Sequence, residues 1–170
     1  MKSVLTLLAA GALIFAGTGT PSIANFHRVD ANVFRGGQPK PAEFQTLARM
    51  GIKTVLDLRE ESHASGEDKL VKSAGMHYIS LPMNGLTAPS DQQVARALAV
   101  IEDSANSPVF VHCRRGADRT GTVIACYRVS HDGWQNQRAL DEANTFGMSW
   151  IERGMRSYVL RYRAPVASAH

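Results

Sequence analysis

The chain has 170 residues, with 19 basic and 15 acidic side chains, a formal charge of +4, and arginine outnumbering lysine by 14 to 5. That length suits one ordinary domain around a single core. Two cysteines are too few for a disulfide-dense scaffold, and the basic residues lack the interleaved aromatics of a nucleic-acid platform, so no nucleic-acid partner is expected. The histidines outside the central motif fall at no metal-ligand spacing.

Taken in chain order, residues 1–24 are predicted to form an export signal that is cleaved. Lys2 provides a positive start, Val4 to Ala16 is apolar, and Ser22-Ile23-Ala24 has the small-x-small pattern of a cleavage site. The apolar run is shorter than the roughly 20 residues a membrane span requires; an uncleaved anchor is the alternative. The mature chain is therefore expected to begin near Asn25, to keep no stable membrane span after cleavage, and to be exported to a bacterial periplasm or secreted. Residues 25–163 show no repeat or linker and read as one domain, with 164–170 as a C-terminal tail.

Val33-Phe34 is a short predicted strand. Pro41 to Met50 reads as a helix, with a proline in the first turn, an apolar side at Phe44, Leu47 and Ala48, and Gly51 as its stop. Thr54 to Leu58 is a strand, Glu67 to Ala74 a short amphipathic helix ended by Gly75, and His77 to Leu81 the next strand. Ser90 and Gln93 form a capping-box pattern for a helix that runs to about Asp103. Val109-Phe110-Val111 is an unbroken apolar run, as expected at the buried centre of a parallel sheet. Helices are expected at about 119–132, 136–146 and 149–163, with Trp134, Trp150 and the Met148–Met155 stretch as core packing. The whole predicts an α/β three-layer sandwich, a central mostly parallel sheet flanked by helices. Cys126 falls seven residues into the helix after the central strand, about 10 Å along its axis from its start. It is therefore read as a buried thiol rather than a partner for Cys113, since a disulfide needs Cα atoms within roughly 7 Å.

The central strand runs into His112-Cys113-Arg114-Arg115-Gly116-Ala117-Asp118-Arg119-Thr120-Gly121. A strand that ends in a glycine-containing loop and then opens a helix aims backbone N–H groups at one point, which makes an anion cradle of residues Arg114, Arg115, Gly116, Ala117, Asp118 and Arg119. A cysteine at the start of the loop lies among the same donors, which stabilise its anion and make it a nucleophile. Arg119 can return across the loop and clamp two phosphate oxygens with its planar fork. The Thr120 hydroxyl is placed to steady the sulfur as a leaving group, and His112 to orient the loop. Gly116 supplies the tight turn around the anion. At average residue usage these offsets coincide by chance on the order of once in 10^5, so the motif outweighs everything else in the chain. The chemistry these residues suit is in-line transfer of a phosphoryl group to Cys113 and hydrolysis of the phosphocysteine by water, with no metal and no cofactor.

At this motif, HC-x5-R-T-G, the chain resembles the cysteine-dependent protein tyrosine and dual-specificity phosphatases. Asn25 to Val29, Arg35 to Pro39, Gly51 to Arg59 and Gly121 to Trp134 look like the corresponding segments of small bacterial and atypical dual-specificity members. The resemblance implies a dual-specificity phosphatase-like fold and a phosphotyrosine substrate on protein, with phosphoserine or phosphothreonine as further substrates. The alternative is a phosphoinositide or inositol phosphate, which the in-loop Asp118 and the neighbouring Arg114 and Arg115 would suit. A catalytically dead phosphate-binding module and a rhodanese- or arsenate-reductase-like thiol enzyme are the readings from other classes. The triplet Cys113, Arg119 and Thr120 opposes the first, and the placement of Cys126 opposes the second.

The general acid is not evident. In the family resembled, an aspartate on the loop after the preceding strand protonates the leaving group. Here that loop begins Pro82-Met83-Asn84, and its one acid, Asp91, falls in the first turn of a helix, where a dipole role competes. Asp118 is the other candidate, as in the lipid-phosphatase branches whose loop it resembles; a loop-bracing carboxylate is the competing role. Arg153, Arg156, Arg161 and Arg163 are expected on a solvated helix face.

Overall fold

The computed structural model describes residues 20–60 and 66–165. Most of the expected export signal, and the tail beyond 165, lie outside the described residues. Five strands and six helices follow in the order β1 (His27–Arg28), β2 (Val33–Gly36), α1 (Glu43–Arg49), β3 (Thr54–Arg59), α2 (Glu67–Ser73), β4 (His77–Met83), α3 (Asp91–Glu102), β5 (Val109–His112), α4 (Asp118–Ser130), α5 (Asn136–Thr145) and α6 (Arg153–Arg161). They build one sheet of order β1-β2-β5-β3-β4. The β1–β2 pair is antiparallel; every other pair is parallel.

The alternation of side chains along a strand explains the three layers. Val55 and Phe110 point to one face, where they pack with Phe44 and Leu47 of α1 and Val71 of α2. Their neighbours Leu56, Leu58, Val109 and Val111 point to the other, against Val94, Leu98 and Ile101 of α3 and Val123, Ile124 and Tyr127 of α4. A central strand covered on both faces has no polar side to show, which is why Val109-Phe110-Val111 is unbroken. Helices α5 and α6 extend the second layer through Ala139, Leu140, Ala143, Met148 and Val159.

The helix starts follow local chemistry. At α3 the Ser90 side chain accepts from the Gln93 backbone N–H while the Gln93 side chain accepts from the Ser90 N–H, so the predicted capping box is present. Both cysteines are free; Cys126 is fully buried, and burial pushes its thiol pKa up. Arg153, Arg161 and Arg163 are exposed, as expected of a solvated face, whereas Arg156 is half-buried and donates to the Asn144 side-chain oxygen.

Three sequence expectations are corrected. The edge strand β1 was not anticipated, because its two exposed residues carry no alternation. Helix α6 begins at Arg153 rather than 149, since Gly147 takes φ +80° and a turn occupies the next residues. Trp150 and Ile151 on that turn are not core: they are 72% and 66% exposed, while Met148 and Met155 on either side are buried. Among the described residues, no helix is long and apolar enough to cross a membrane.

Candidate active site

The loop between β5 and α4 lies at the carboxyl end of the central strand, where open α/β sheets bind ligands. Its conformation is set from behind by the segment that leads into and out of β2. The Asn25 side-chain amide donates to the Arg115 carbonyl (2.9 Å), the Gln38 N–H donates to the Arg114 carbonyl (3.2 Å), and the Arg35 guanidinium donates to the Gly116 carbonyl (2.8 Å). In a trans peptide the carbonyl and the following N–H point in opposite directions. Holding three successive carbonyls at the rear therefore turns the N–H groups of Arg115, Gly116 and Ala117 towards the cleft.

Gly116 is obligatory for two reasons. Its φ is +70°, and a Cβ there would lie 2.3 Å from the Gly36 carbonyl carbon and 2.4 Å from the Gly37 nitrogen. Two backbone segments meet at this point with no room for a side chain.

The loop encloses a cleft of about 250 Å³, lined by Cys113, Arg114, Arg115, Asp118 and Arg119, with Gly85 and Leu86 from the β4–α3 connection and Glu152 from the turn before α6. Cys113 is 2% exposed. The Arg119 guanidinium donates to the Met83 carbonyl (3.3 Å) and passes close to Gly85. Thr120 is fully buried, and its hydroxyl has no hydrogen-bond partner among the described residues. Gly116 and Ala117 are buried, whereas the Arg114 and Arg115 side chains are exposed.

The two candidate acids have separate environments. Asp118, the first residue of α4, accepts a hydrogen bond from the Ser149 N–H (2.8 Å) on one oxygen and the Arg115 guanidinium on the other. Asp91 accepts from the Tyr158 hydroxyl (2.8 Å) and lines a second cavity with Ala95 and Arg161, away from the loop. Asn84, early in the β4–α3 connection, folds back to accept from the Leu86 and Thr87 N–H groups.

Beneath the loop, a buried Glu67 carboxylate oxygen lies 2.8 Å from His112 Nε2, and Asp57 lies 3.8 Å from the same ring nitrogen. The ligand atoms of these three residues fall within 4.8 Å of one another, the spacing of a metal site. The Arg59 guanidinium already binds both carboxylates, at 2.7 and 2.6 Å. The positive charge that two buried acids demand thus comes from the chain itself.

Sequence reasoning did not pick out Arg35, Glu67 or Glu152. Arg35 is 1% exposed and stacks on Phe146 with 4.1 Å from guanidinium carbon to ring centroid. Burial lowers its pKa to about 10, so it remains a cation at neutral pH. Its one sequence signal was its position beside the Gly36-Gly37 pair. Glu152 had none.

Residues 19–156 match the family described as a DSP-PTPase phosphatase fused to NAD+ kinase. The chain belongs to this DSP-PTPase-type phosphatase family. Among its relatives, inositol diphosphatase DSP4 of Arabidopsis thaliana is 32% identical over 108 residues, covering 61% of this chain and 54% of the relative. Inositol diphosphatase DSP3 of the same plant is 27% identical over 137 residues, covering 78% and 67%. The chain thus spans about half to two thirds of the length of these curated relatives. Among solved structures, P. aeruginosa TpbA is 29% identical with a TM-score of 0.71, covering 82% of this chain and 85% of that one. The catalytic core of the S. cerevisiae PP-IP phosphatase SIW14 shares the fold, with a TM-score of 0.74 at 24% identity over 85% and 88% of the two chains.

Proposed function

We propose that this chain hydrolyses phosphate monoesters through a phosphocysteine on Cys113, and that its substrate is phosphotyrosine on protein. In this reading Cys113 Sγ attacks phosphorus, while Arg119 and the N–H groups of the loop hold the equatorial oxygens. Thr120 then supports the sulfur as it leaves, and His112, tied to Glu67, keeps the loop in register. No step calls on a metal or cofactor.

The observation that carries the reading is the cleft itself: a buried cysteine, an arginine returning across the loop, and backbone carbonyls pinned to the rear. For the substrate, the support is the character of the rim. Leu86 on the cleft wall is 79% exposed, and Trp150 and Ile151, beside Glu152, are 72% and 66% exposed. An exposed apolar side chain on the cleft wall, with two more next to Glu152 in the chain, suits a substrate that joins phosphate to an aromatic ring and a peptide. A solved TpbA complex contains pTyr. The export pattern at Lys2 and Val4 to Ala16 adds the expectation that the substrate lies outside the cytoplasm.

The second reading is an inositol phosphate or phosphoinositide substrate. It is favoured by the names of the plant relatives and by Arg114 and Arg115 on the cleft wall. Phosphate release would be measured side by side on a phosphotyrosine peptide, a phosphoserine peptide, a phosphoinositide and a diphosphorylated inositol, with Cys113→Ser as control. The first reading expects Cys113-dependent kcat/KM on phosphotyrosine at least 10-fold above the others. Turnover led by an inositol substrate would install the second. Release that survives Cys113→Ser, or none from any substrate under reducing conditions, would remove both.

A further inference from the structure

We propose that Glu152 is the proton donor to the leaving group, and that Asp118 serves as the residue that positions it. This rests on the phosphatase reading above and supplies the acid that reading lacks.

Asp118 and Glu152 are the two carboxylates that line the cleft among the described residues. Asp118 is engaged on both oxygens, accepting from the Ser149 N–H on one and from the Arg115 guanidinium on the other. A group held on both sides braces the loop against the turn before α6, whereas a proton donor must be free to turn towards the leaving group. Asp91 hydrogen-bonds Tyr158 in another cavity. The β4–α3 connection, where the family resembled keeps its acid, offers the cleft Gly85 and Leu86.

Glu152 differs from all of these. It is half-buried, and none of the hydrogen bonds or ion pairs among the described residues engages its carboxylate. Its backbone, by contrast, is fixed. The Glu152 N–H donates to the Ser149 carbonyl (3.2 Å), and the Glu152 carbonyl accepts from the Arg156 N–H (3.1 Å) as α6 begins. Ser149 is also the residue whose N–H Asp118 holds. The chain of contacts thus runs from the loop through Asp118 to Ser149 and on to the turn that carries Glu152. On the far side, a Cβ on Gly154 would lie 3.2 Å from the Ala88 nitrogen, so the start of α6 packs directly against the β4–α3 connection. The result is a carboxyl outside those hydrogen bonds and ion pairs, on a turn whose backbone is hydrogen-bonded, lining the same cleft as Cys113.

In the first step the Sγ–P bond forms and the P–O bond to the leaving group breaks. The Glu152 carboxyl gives its proton to the departing oxygen and is left as a carboxylate. In the second step a water oxygen bonds to phosphorus, the Sγ–P bond breaks, the water proton passes to Glu152, and Cys113 leaves as a thiolate.

The test is leaving-group dependence. Glu152→Gln would be compared with wild type on phenyl phosphate, whose leaving oxygen needs a proton, and on p-nitrophenyl phosphate, whose leaving oxygen hardly does. The expected result is a loss in kcat/KM of about 10^2-fold or more on phenyl phosphate and under 10-fold on p-nitrophenyl phosphate, with the alkaline limb of the pH profile abolished. Asp118→Asn should weaken both substrates yet keep that limb. Equal losses on the two substrates in Glu152→Gln, or no loss on phenyl phosphate, would overturn the proposal. So would an alkaline limb that persists in Glu152→Gln and vanishes in Asp118→Asn. If the wild-type chain turns over neither ester in a Cys113-dependent way, the phosphatase reading itself fails.

Discussion

Arg35 on β2 donates a buried hydrogen bond of 2.8 Å to the carbonyl oxygen of Gly116, 81 residues away, and thereby braces the loop between β5 and α4 from underneath. The arginine is packed flat on Phe146 and carries its charge in a site almost closed to water. Replacing it with methionine keeps most of the volume but leaves the Gly116 carbonyl unpaired. The expected cost is about 1–3 kcal/mol of stability, seen as a lower Tm, together with weaker inhibition by vanadate, a phosphate mimic. An unchanged Tm and vanadate affinity in Arg35→Met would show that the brace is idle.

Gly116→Ala should be far more damaging than Gly133→Ala, although both glycines have positive φ. At Gly133 a Cβ meets nothing within 4 Å, so only backbone strain of about 1–2 kcal/mol is incurred. At Gly116 the new carbon would overlap the backbone of Gly36 and Gly37, which has no room to retreat. We expect Gly116→Ala to lose at least 100-fold in kcat/KM and to melt below Gly133→Ala. Equal effects of the two substitutions would contradict the close approach.

The buried network below His112 predicts an acid limit to stability. Burial pushes the Asp57 carboxyl pKa up, but hydrogen bonds from Arg59 and the charge of His112 outweigh it and hold the carboxyl below its ordinary value. A carboxyl depressed in the folded state stabilises at pH values above its unfolded pKa of about 3.9, and that stability is lost as the pH falls through the folded value. Tm should therefore drop steeply below about pH 4. In Asp57→Asn, Tm should start lower and depend less on pH across that window. A wild-type Tm flat between pH 5 and 2.5 would refute the coupling.

The residues of the expected cleavage site are part of the fold. Ile23 is 7% exposed and packs with Phe34, Phe44 and Phe110, and the Ala24 carbonyl accepts from the Gly37 N–H at 2.7 Å. Ile23→Ala should destabilise by about 2 kcal/mol or more. A fragment that starts at Asn25 should melt below one that starts at Thr20, because it loses both the isoleucine and that carbonyl. Coincident melting curves would show that the segment contributes nothing.

The ordered elements could be read from local pattern because each depends on neighbours in the chain. The Ser90–Gln93 capping box, the unbroken Val109-Phe110-Val111 run and the periodic face of α1 all express interactions within a few residues. Where the expectation for Trp150 failed, the cause was context: a large apolar residue after a glycine with positive φ sits on a turn, and hydrophobicity alone does not report which way a turn faces.

The sequence by itself singled out the loop from Cys113 to Gly121, since it is contiguous and its residue types stand at fixed offsets. It also determined the layering, since strand and helix periods decide which side chains can share a face. Tertiary structure alone decided what shares the cleft with Cys113. Glu152 and Leu86 come from separate connections, Arg35 reaches Gly116 from the far side of the loop, and Asp118 is matched to Ser149 31 residues on. Such pairings depend on how closed elements dock, and docking is set by the shape of the packed core rather than by any local spacing along the chain.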